Sequence, residues 1–218
     1  MVYKEISYRE DARIGTITLN RPGQRNSLSM ELIKEIHSCL SLAGERMSPR
    51  VIVIRGEGPC FCSGHDMTQI LDRDITEIRR LFEACIDLMG LIKKIPQPVI
   101  AQVHGIATAA GCQLVAACDL AVAAQDSRFA TPGVKIGLFC STPAVALSRN
   151  VGKKMALDML LTGRFVSADE ALACGLVNRV VAGKELSAEV LSLAEEIASY
   201  SLRTLGPVSY THLTLPTN

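Results

Sequence analysis

The chain contains no tryptophan, and phenylalanine and tyrosine supply only 4% of its 218 residues. Aromatic platforms for stacking single-stranded nucleic acid are therefore missing. Charge of one sign is missing too. The net charge is +1 and no basic run exceeds two residues, so there is no electrostatic footprint for a phosphate backbone. No C-x-x-C pair occurs among the eight cysteines (Cys39, Cys60, Cys62, Cys85, Cys112, Cys118, Cys140, Cys174), which are scattered through apolar segments. That pattern argues against a disulfide framework and for reduced, buried thiols in a cytosolic or organellar compartment. Cys60-x-Cys62 with His65 is not a standard zinc spacing and no second ligand pair follows, so no metal site is expected. Ile106–Ala124 is the longest apolar stretch, but Gln113 and Asp119 interrupt it. A buried helix followed by a buried strand is the better reading than a transmembrane span.

What is present is ample core material: 48% of residues are hydrophobic, which excludes global disorder. Residues 3–9 and 12–19 read as two strands flanking Glu10-Asp11, and Asn20-Arg21-Pro22-Gly23 reads as a turn. Ser29 is placed to cap a helix whose stripe is Leu32, Ile33, Ile36, Leu40 and Ala43. Val51–Ile54 and Val99–Val103 are short continuous runs of the kind buried on both faces of a sheet. Between them, apolar residues from Ile75 to Ile92 recur at helical spacing, with Asp74 and Glu77 at the N-terminus and Pro96 and Pro98 beyond the end. A small-residue helix starts near Ala109, a strand covers Asp119–Ala124, and helices follow over 141–149 and 153–161. Ser167-Ala168-Asp169-Glu170 is a capping box opening a short helix that ends at Cys174-Gly175. A strand at Val177–Val181 and a helix at Leu186–Ser199 complete the pattern. Strand and helix alternation with buried strands predicts an α/β architecture with crossover connections over residues 1–200. The Thr- and Pro-containing residues 201–218 read as an irregular tail.

Two segments carry chemistry through their backbone. In Phe61-Cys62-Ser63-Gly64-His65-Asp66, Gly64 permits an unusual backbone angle that can aim the His65 N–H. In His104–Leu114, the Ala110 N–H falls near a helix N-terminus, where unsatisfied donors and the dipole favour a negative oxygen. Taken singly, the first is also readable as an ordinary strand-to-helix turn and the second as a packed Ala/Gly helix. Two converging N–H groups would stabilise charge developing on a carbonyl oxygen. Asp66 is a candidate acid–base group or a loop anchor. Cys140 and Ser141 open a helix and are candidate nucleophiles or core and cap residues.

The run Arg21-Pro22…Asn26-Ser27-Leu28, Phe61–Asp66, Pro96–Gly105, Gly111-Cys112-Gln113-Leu114, Cys118-Asp119 and Thr162-Gly163…Ala168…Ala171…Gly175-Leu176-Val177 resembles the enoyl-CoA hydratase/isomerase (crotonase) family. The resemblance covers residues 3–199 in order. It implies a crotonase (ClpP-like) α/β fold of repeated ββα units, an acyl-CoA thioester as substrate or ligand, no further cofactor, and a homotrimer or hexamer. It also implies a mitochondrial setting, although no presequence is visible before Tyr3. By position, the N–H groups of His65 and Ala110 would form the oxyanion hole, and His65-Asp66-Met67-Thr68 would line the acyl-CoA channel. The His65 side chain is expected at solvent or at the ligand phosphates. The positions of the family's two acid–base glutamates hold Gln113 and Gly133, neither of which exchanges a proton near neutral pH. The resemblance therefore implies an acyl-CoA protein without efficient hydration: a weak or different enzyme of fatty acid metabolism, or a non-catalytic binding or regulatory module. Family members continue with helices that cover the acyl pocket and build the trimer. A truncated C-terminal helical part, reduced stability and doubtful oligomerisation are the corresponding expectations here.

Overall fold

The computed structural model describes residues 3–214. The chain opens with a hairpin of β1 (Ile6–Asp11) and β2 (Ile14–Leu19). Its turn is Ala12-Arg13 rather than Glu10-Asp11, because Asp11 pairs with Ile14 and Ala12 takes up the positive φ of 52°. Helix α1 (Met30–Arg46) starts where Ser29 accepts the Leu32 N–H at 3.2 Å. Strand β3 (Val51–Gly56) and helix α2 (Ile75–Ile92) follow, the helix capped by Asp74 on the Thr76 N–H at 2.7 Å. Next come β4 (Val99–Val103), β5 (Ile106–Thr108), α3 (Ala110–Ala117), β6 (Leu120–Ala124) and β7 (Arg128–Ala130). The remaining elements are α4 (Ser141–Asn150), α5 (Lys153–Thr162), β8 (Val166–Ser167), α6 (Ala168–Ala173), β9 (Arg179–Val181), α7 (Leu186–Ala198) and α8 (Leu202–Thr214).

Six strands form one sheet in the order β1-β2-β3-β4-β6-β9, parallel except for the first hairpin. Side chains alternate across it. Ile52 and Ile54 face α1, α2 and α3, whereas Val51 and Val53 face α7, whose Leu186, Val190, Leu193 and Ala198 seal the other side. Both faces are thus covered, as the unbroken apolar runs predict.

A second, smaller sheet of β5, β7 and β8 has no periodic signature in the sequence. Strands of two or three residues are too short to show alternation. Single bridges continue it: Cys62 pairs with Ala107, and Leu28 pairs with His65. Each ββα unit therefore gives one long strand to the main sheet and a short one, or a single bridge, to this second layer.

The tail expected to be irregular is helical over Leu202–Thr214. Ser201 nucleates it: its Oγ accepts the Arg203 N–H at 3.2 Å and its carbonyl accepts the Thr204 and Leu205 N–H groups. Leu202 is buried, and a Cβ on Gly206 would come within 3.3 Å of Pro96. These contacts outweigh the hydrogen bond that Pro207 removes from the helix interior. The part of that expectation covering residues 215–218 lies outside the described residues. Among the described residues no helix is long and apolar enough to cross a membrane.

Candidate functional site

The two chemistry-bearing segments meet in the second sheet. The Cys62 N–H donates to the Ile106 carbonyl at 3.1 Å, the Thr108 N–H to the Cys62 carbonyl at 3.0 Å, and the Thr108 hydroxyl to the Ser63 carbonyl at 3.0 Å. Glycine makes the approach possible. A Cβ on Gly111 would lie 2.2 Å from the Cys62 carbonyl oxygen. One on Gly64 would lie 2.9 Å from the Ala109 Cβ and 3.5 Å from the Ala110 nitrogen. Gly64 also has φ +103°, which a residue with a side chain adopts only with strain.

Both N–H groups are set by neighbours. At the Leu28–His65 bridge the hydrogen bonds run from Leu28 N–H to the Gly64 carbonyl (2.7 Å) and from Asp66 N–H to the Leu28 carbonyl (3.0 Å). In a parallel bridge of that kind the His65 N–H faces away from the Leu28 strand. Ala110 is the first residue of α3, so its N–H has no partner within the helix. The preceding Ala109 holds φ 50° and ψ −120°, a conformation normally left to glycine, and is pinned by its N–H on the Ala130 carbonyl at 2.8 Å. Strain of this kind concentrates where a backbone group must be aimed.

The His65 side chain, expected at solvent or at the ligand phosphates, is partly buried. It packs on Phe82 of α2, ring centres 4.6 Å apart, with Nε2 buried and unpartnered. Burial lowers its pKa to about 4, so the imidazole is neutral at physiological pH. Its N–H and its ring thus face different surroundings. Asp66 is an anchor. Its Oδ1 accepts the Thr68 N–H and hydroxyl at 3.1 and 2.8 Å, and its Oδ2 pairs with Arg21 at 2.9 Å. Burial pushes that carboxyl up, but Thr68 and Arg21 outweigh it and the pKa falls below the usual value. Met67, by contrast, is more than a third exposed beside the loop.

Gln113 lies one helical turn beyond Ala110. It is buried, and its Oε1 accepts the Thr142 hydroxyl at 2.9 Å. Gly133 sits in a short 3-10 turn with no room for a side chain. A Cβ there would lie 2.7 Å from both the Cys140 Sγ and the Leu138 carbonyl oxygen. Cys140 therefore occupies the space into which a side chain at 133 would project. Burial raises its thiol pKa, partly opposed by a hydrogen bond from the Gly133 backbone, and burial pushes Cys62 and Cys112 up to about 12. Protonated thiols are poor nucleophiles. Among the described residues no group of three His, Cys, Asp or Glu side chains is placed to hold a metal ion. The arrangement thus offers two fixed backbone donors, a neutral amide one turn away, and a carboxylate whose oxygens are both engaged. Sequence reasoning missed the contacts of Thr142 with Gln113 and of Phe82 with His65, which only the folded chain makes.

Residues 9–208 match the family model for enoyl-CoA hydratase/isomerase. Enoyl-CoA hydratase domain-containing protein 3, mitochondrial, of Mus musculus is 47% identical over 196 residues, 89% of this chain and 65% of that protein. Its Homo sapiens counterpart is 46% identical over the same shares. The chain therefore spans about 65% of the length of these curated relatives. Among solved structures, human enoyl Coenzyme A hydratase domain-containing protein 3 superposes with TM-score 0.95 at 44% identity, covering 99% of this chain and 86% of that one. The enoyl-CoA hydratase of Mycobacterium smegmatis gives 0.94 at 45% identity, covering 97% and 83%.

Proposed function

The chain belongs to the enoyl-CoA hydratase/isomerase family and has its α/β crotonase fold, and from that premise we propose that it binds an acyl-CoA thioester whose carbonyl oxygen sits between the N–H groups of His65 and Ala110. The observation that carries this reading is the close approach of Gly64, where an added Cβ would lie 2.9 Å from the Ala109 Cβ and 3.5 Å from the Ala110 nitrogen, together with the strained Ala109. A structural turn has no need of either. Asp66, Met67 and Thr68 line the entry in this reading, with Asp66 tying the loop to Arg21 and Met67 offering apolar surface to the acyl or pantetheine chain. The thioester brings its own reactive carbonyl, so no further cofactor is invoked. The relatives' names carry the word mitochondrial, and we assign the same compartment.

Efficient hydration is not part of the proposal. Adding water across an enoyl thioester needs groups that take and give protons, each contributing roughly 10² to 10⁴ in rate. Gln113 cannot supply this, and its carboxamide is held by Thr142. Gly133 has no side chain, and Cys140 and Leu138 fill the space where one would go. A site that holds an oxyanion without an acid–base pair suits recognition of acyl-CoA, or a reaction in which the substrate supplies its own leaving group.

The test is thermal stabilisation of the chain by a panel of acyl-, enoyl- and hydroxyacyl-CoA thioesters, followed by product analysis. A rise in Tm with at least one thioester, exceeding that with free CoA, is expected, with hydration no faster than background. A panel in which no CoA species shifts Tm sinks the binding site. Rapid hydration by the unmodified chain sinks the reading of Gln113 and Gly133.

A further inference from the structure

The turn before α1 grips the loop that carries His65 from end to end. Asn26, fully buried, donates through Nδ2 to the Glu57 and Cys60 carbonyls at 2.9 and 2.8 Å. The Ser63 N–H donates to the Arg25 carbonyl at 3.1 Å, and the Leu28–His65 bridge follows. Arg25 and Asn26 both hold positive φ, 52° and 54°, which residues with side chains adopt only with strain. Arg21 closes the far end. Its Nη1 donates to the Ser27 carbonyl at 2.6 Å and to the Ser27 hydroxyl at 3.2 Å, and its Nη2 donates to Asp66 Oδ2 at 2.9 Å. Its Nε lies against Glu5, which supplies charge without an aligned hydrogen bond.

The placement of the Arg21 contacts is selective. Ser27 precedes Leu28 and Asp66 follows His65, so one guanidinium spans the residues that flank the bridge at His65. The Arg21 side chain is only 15% exposed and the Asp66 side chain 10%. An ion pair so placed contributes little net stability, because desolvation offsets the attraction. What it does supply is direction. A planar fork with its donors at fixed angles sets the separation and tilt of the two segments it joins. Asp66 passes the constraint on, since its other oxygen holds the Thr68 N–H and hydroxyl.

We infer that Arg21 is a positioning residue for carbonyl recognition: it sets the direction of the His65 N–H through Ser27 and Asp66 and touches no substrate itself. The inference rests on the thioester site proposed above. It makes recognition of the carbonyl oxygen, rather than binding of the CoA portion, the quantity that depends on Arg21. A lysine keeps the charge but has a single nitrogen, which cannot serve Ser27 and Asp66 in the same geometry. The His65 N–H then moves off the carbonyl oxygen while the rest of the channel stays.

The test compares ligands of equal chain length by titration calorimetry of the full chain. Butyryl-CoA and octanoyl-CoA are set against the thioethers S-butyl-CoA and S-octyl-CoA, which have no carbonyl oxygen. Two hydrogen bonds to the carbonyl should make the parent chain favour the thioester by about tenfold. Arg21→Lys is expected to reduce that preference to about twofold or less, with the thioether Kd changed by less than about twofold. Asp66→Asn, which keeps an Oδ1 for Thr68 and removes the ion pair, should do the same. Arg179→Lys, which disturbs the 2.8 Å ion pair with Glu189 at the far edge of the main sheet, should keep the full preference. Thermal melting of each variant separates loss of recognition from loss of folding, and Asp66→Asn carries the comparison if Arg21→Lys does not fold. A preference retained in both variants overturns the inference. So does an equal weakening of thioester and thioether, or an equal loss of preference in Arg179→Lys. A parent chain that binds the two ligand types equally, or binds neither, overturns the proposed site and the inference with it.

Discussion

At the residue scale, two positions separate backbone function from side-chain function. His65 is held to a pKa of about 4 by burial, against an ordinary value of 6.5. Between those pH values the unfolded chain binds a proton that the native chain refuses. Stability from this group is therefore complete above pH 6.5 and is lost as pH falls toward 4, by up to about 3 kcal/mol. Urea denaturation of H65L from pH 7 to pH 4 is expected to give a flatter profile than the parent chain, and an unchanged slope would place the acid sensitivity elsewhere. Gly64 tests the backbone. Gly64→Ala must fit a methyl at φ +103° within 2.9 Å of Ala109 Cβ and 3.0 Å of the Thr108 carbonyl. It should cost about 2 kcal/mol or more and abolish stabilisation by acyl-CoA. Gly183→Ala, with nothing within 4 Å, should stay within about 0.5 kcal/mol of the parent. Gly64 was legible in the sequence as a permissive position. The fate of the His65 ring was not, because Phe82 lies on another element and reaches it only when α2 packs.

At the element scale, local signals account for most of the order of strands and helices. Ser29, Asp74 and Ser167 each cap a helix as their positions in the sequence indicate. At α6 the box is reciprocal: the Glu170 N–H donates to Ser167 Oγ at 3.2 Å and the Ser167 N–H to Glu170 Oε2 at 3.0 Å. Ser167→Ala is expected to cost about 1 kcal/mol, read as a lowered denaturation midpoint with an unchanged m-value. A cost near zero would mean that the Arg164–Glu170 pair, 2.8 Å apart, holds the turn without the cap. Where local signals misled, a tertiary contact won. Pro207 and the threonines around it suggested an irregular tail, yet Ser201 and the packing of Leu202 carry the helix through. The short strands β5, β7 and β8 were invisible for a different reason. Each gains its hydrogen bonds from a partner distant in sequence and needs no pattern of its own.

At the scale of the whole molecule, the site is a product of two layers. The main sheet, sealed by α7 on one face and α1 to α3 on the other, fixes the long strands, and the second sheet brings residues 62–66 and 106–110 together. Binding a ligand there should stabilise the entire fold by mass action, by about 2.7 kcal/mol at a concentration a hundred times Kd. The acyl-CoA thermal series measures this quantity directly. The sequence by itself determined the α/β class, the buried strands and the capped helices. It also determined that Gln113 and Gly133 bring no titratable group, because these follow from side-chain chemistry and short-range periodicity. Only the tertiary structure decided that Gly64 abuts Ala109 and Ala110, that Thr142 fixes Gln113, that Cys140 fills the space beside Gly133, and that Arg21 reaches Asp66. Each of these depends on contact between chain segments remote in sequence, and such contacts are set by how the sheets and helices pack.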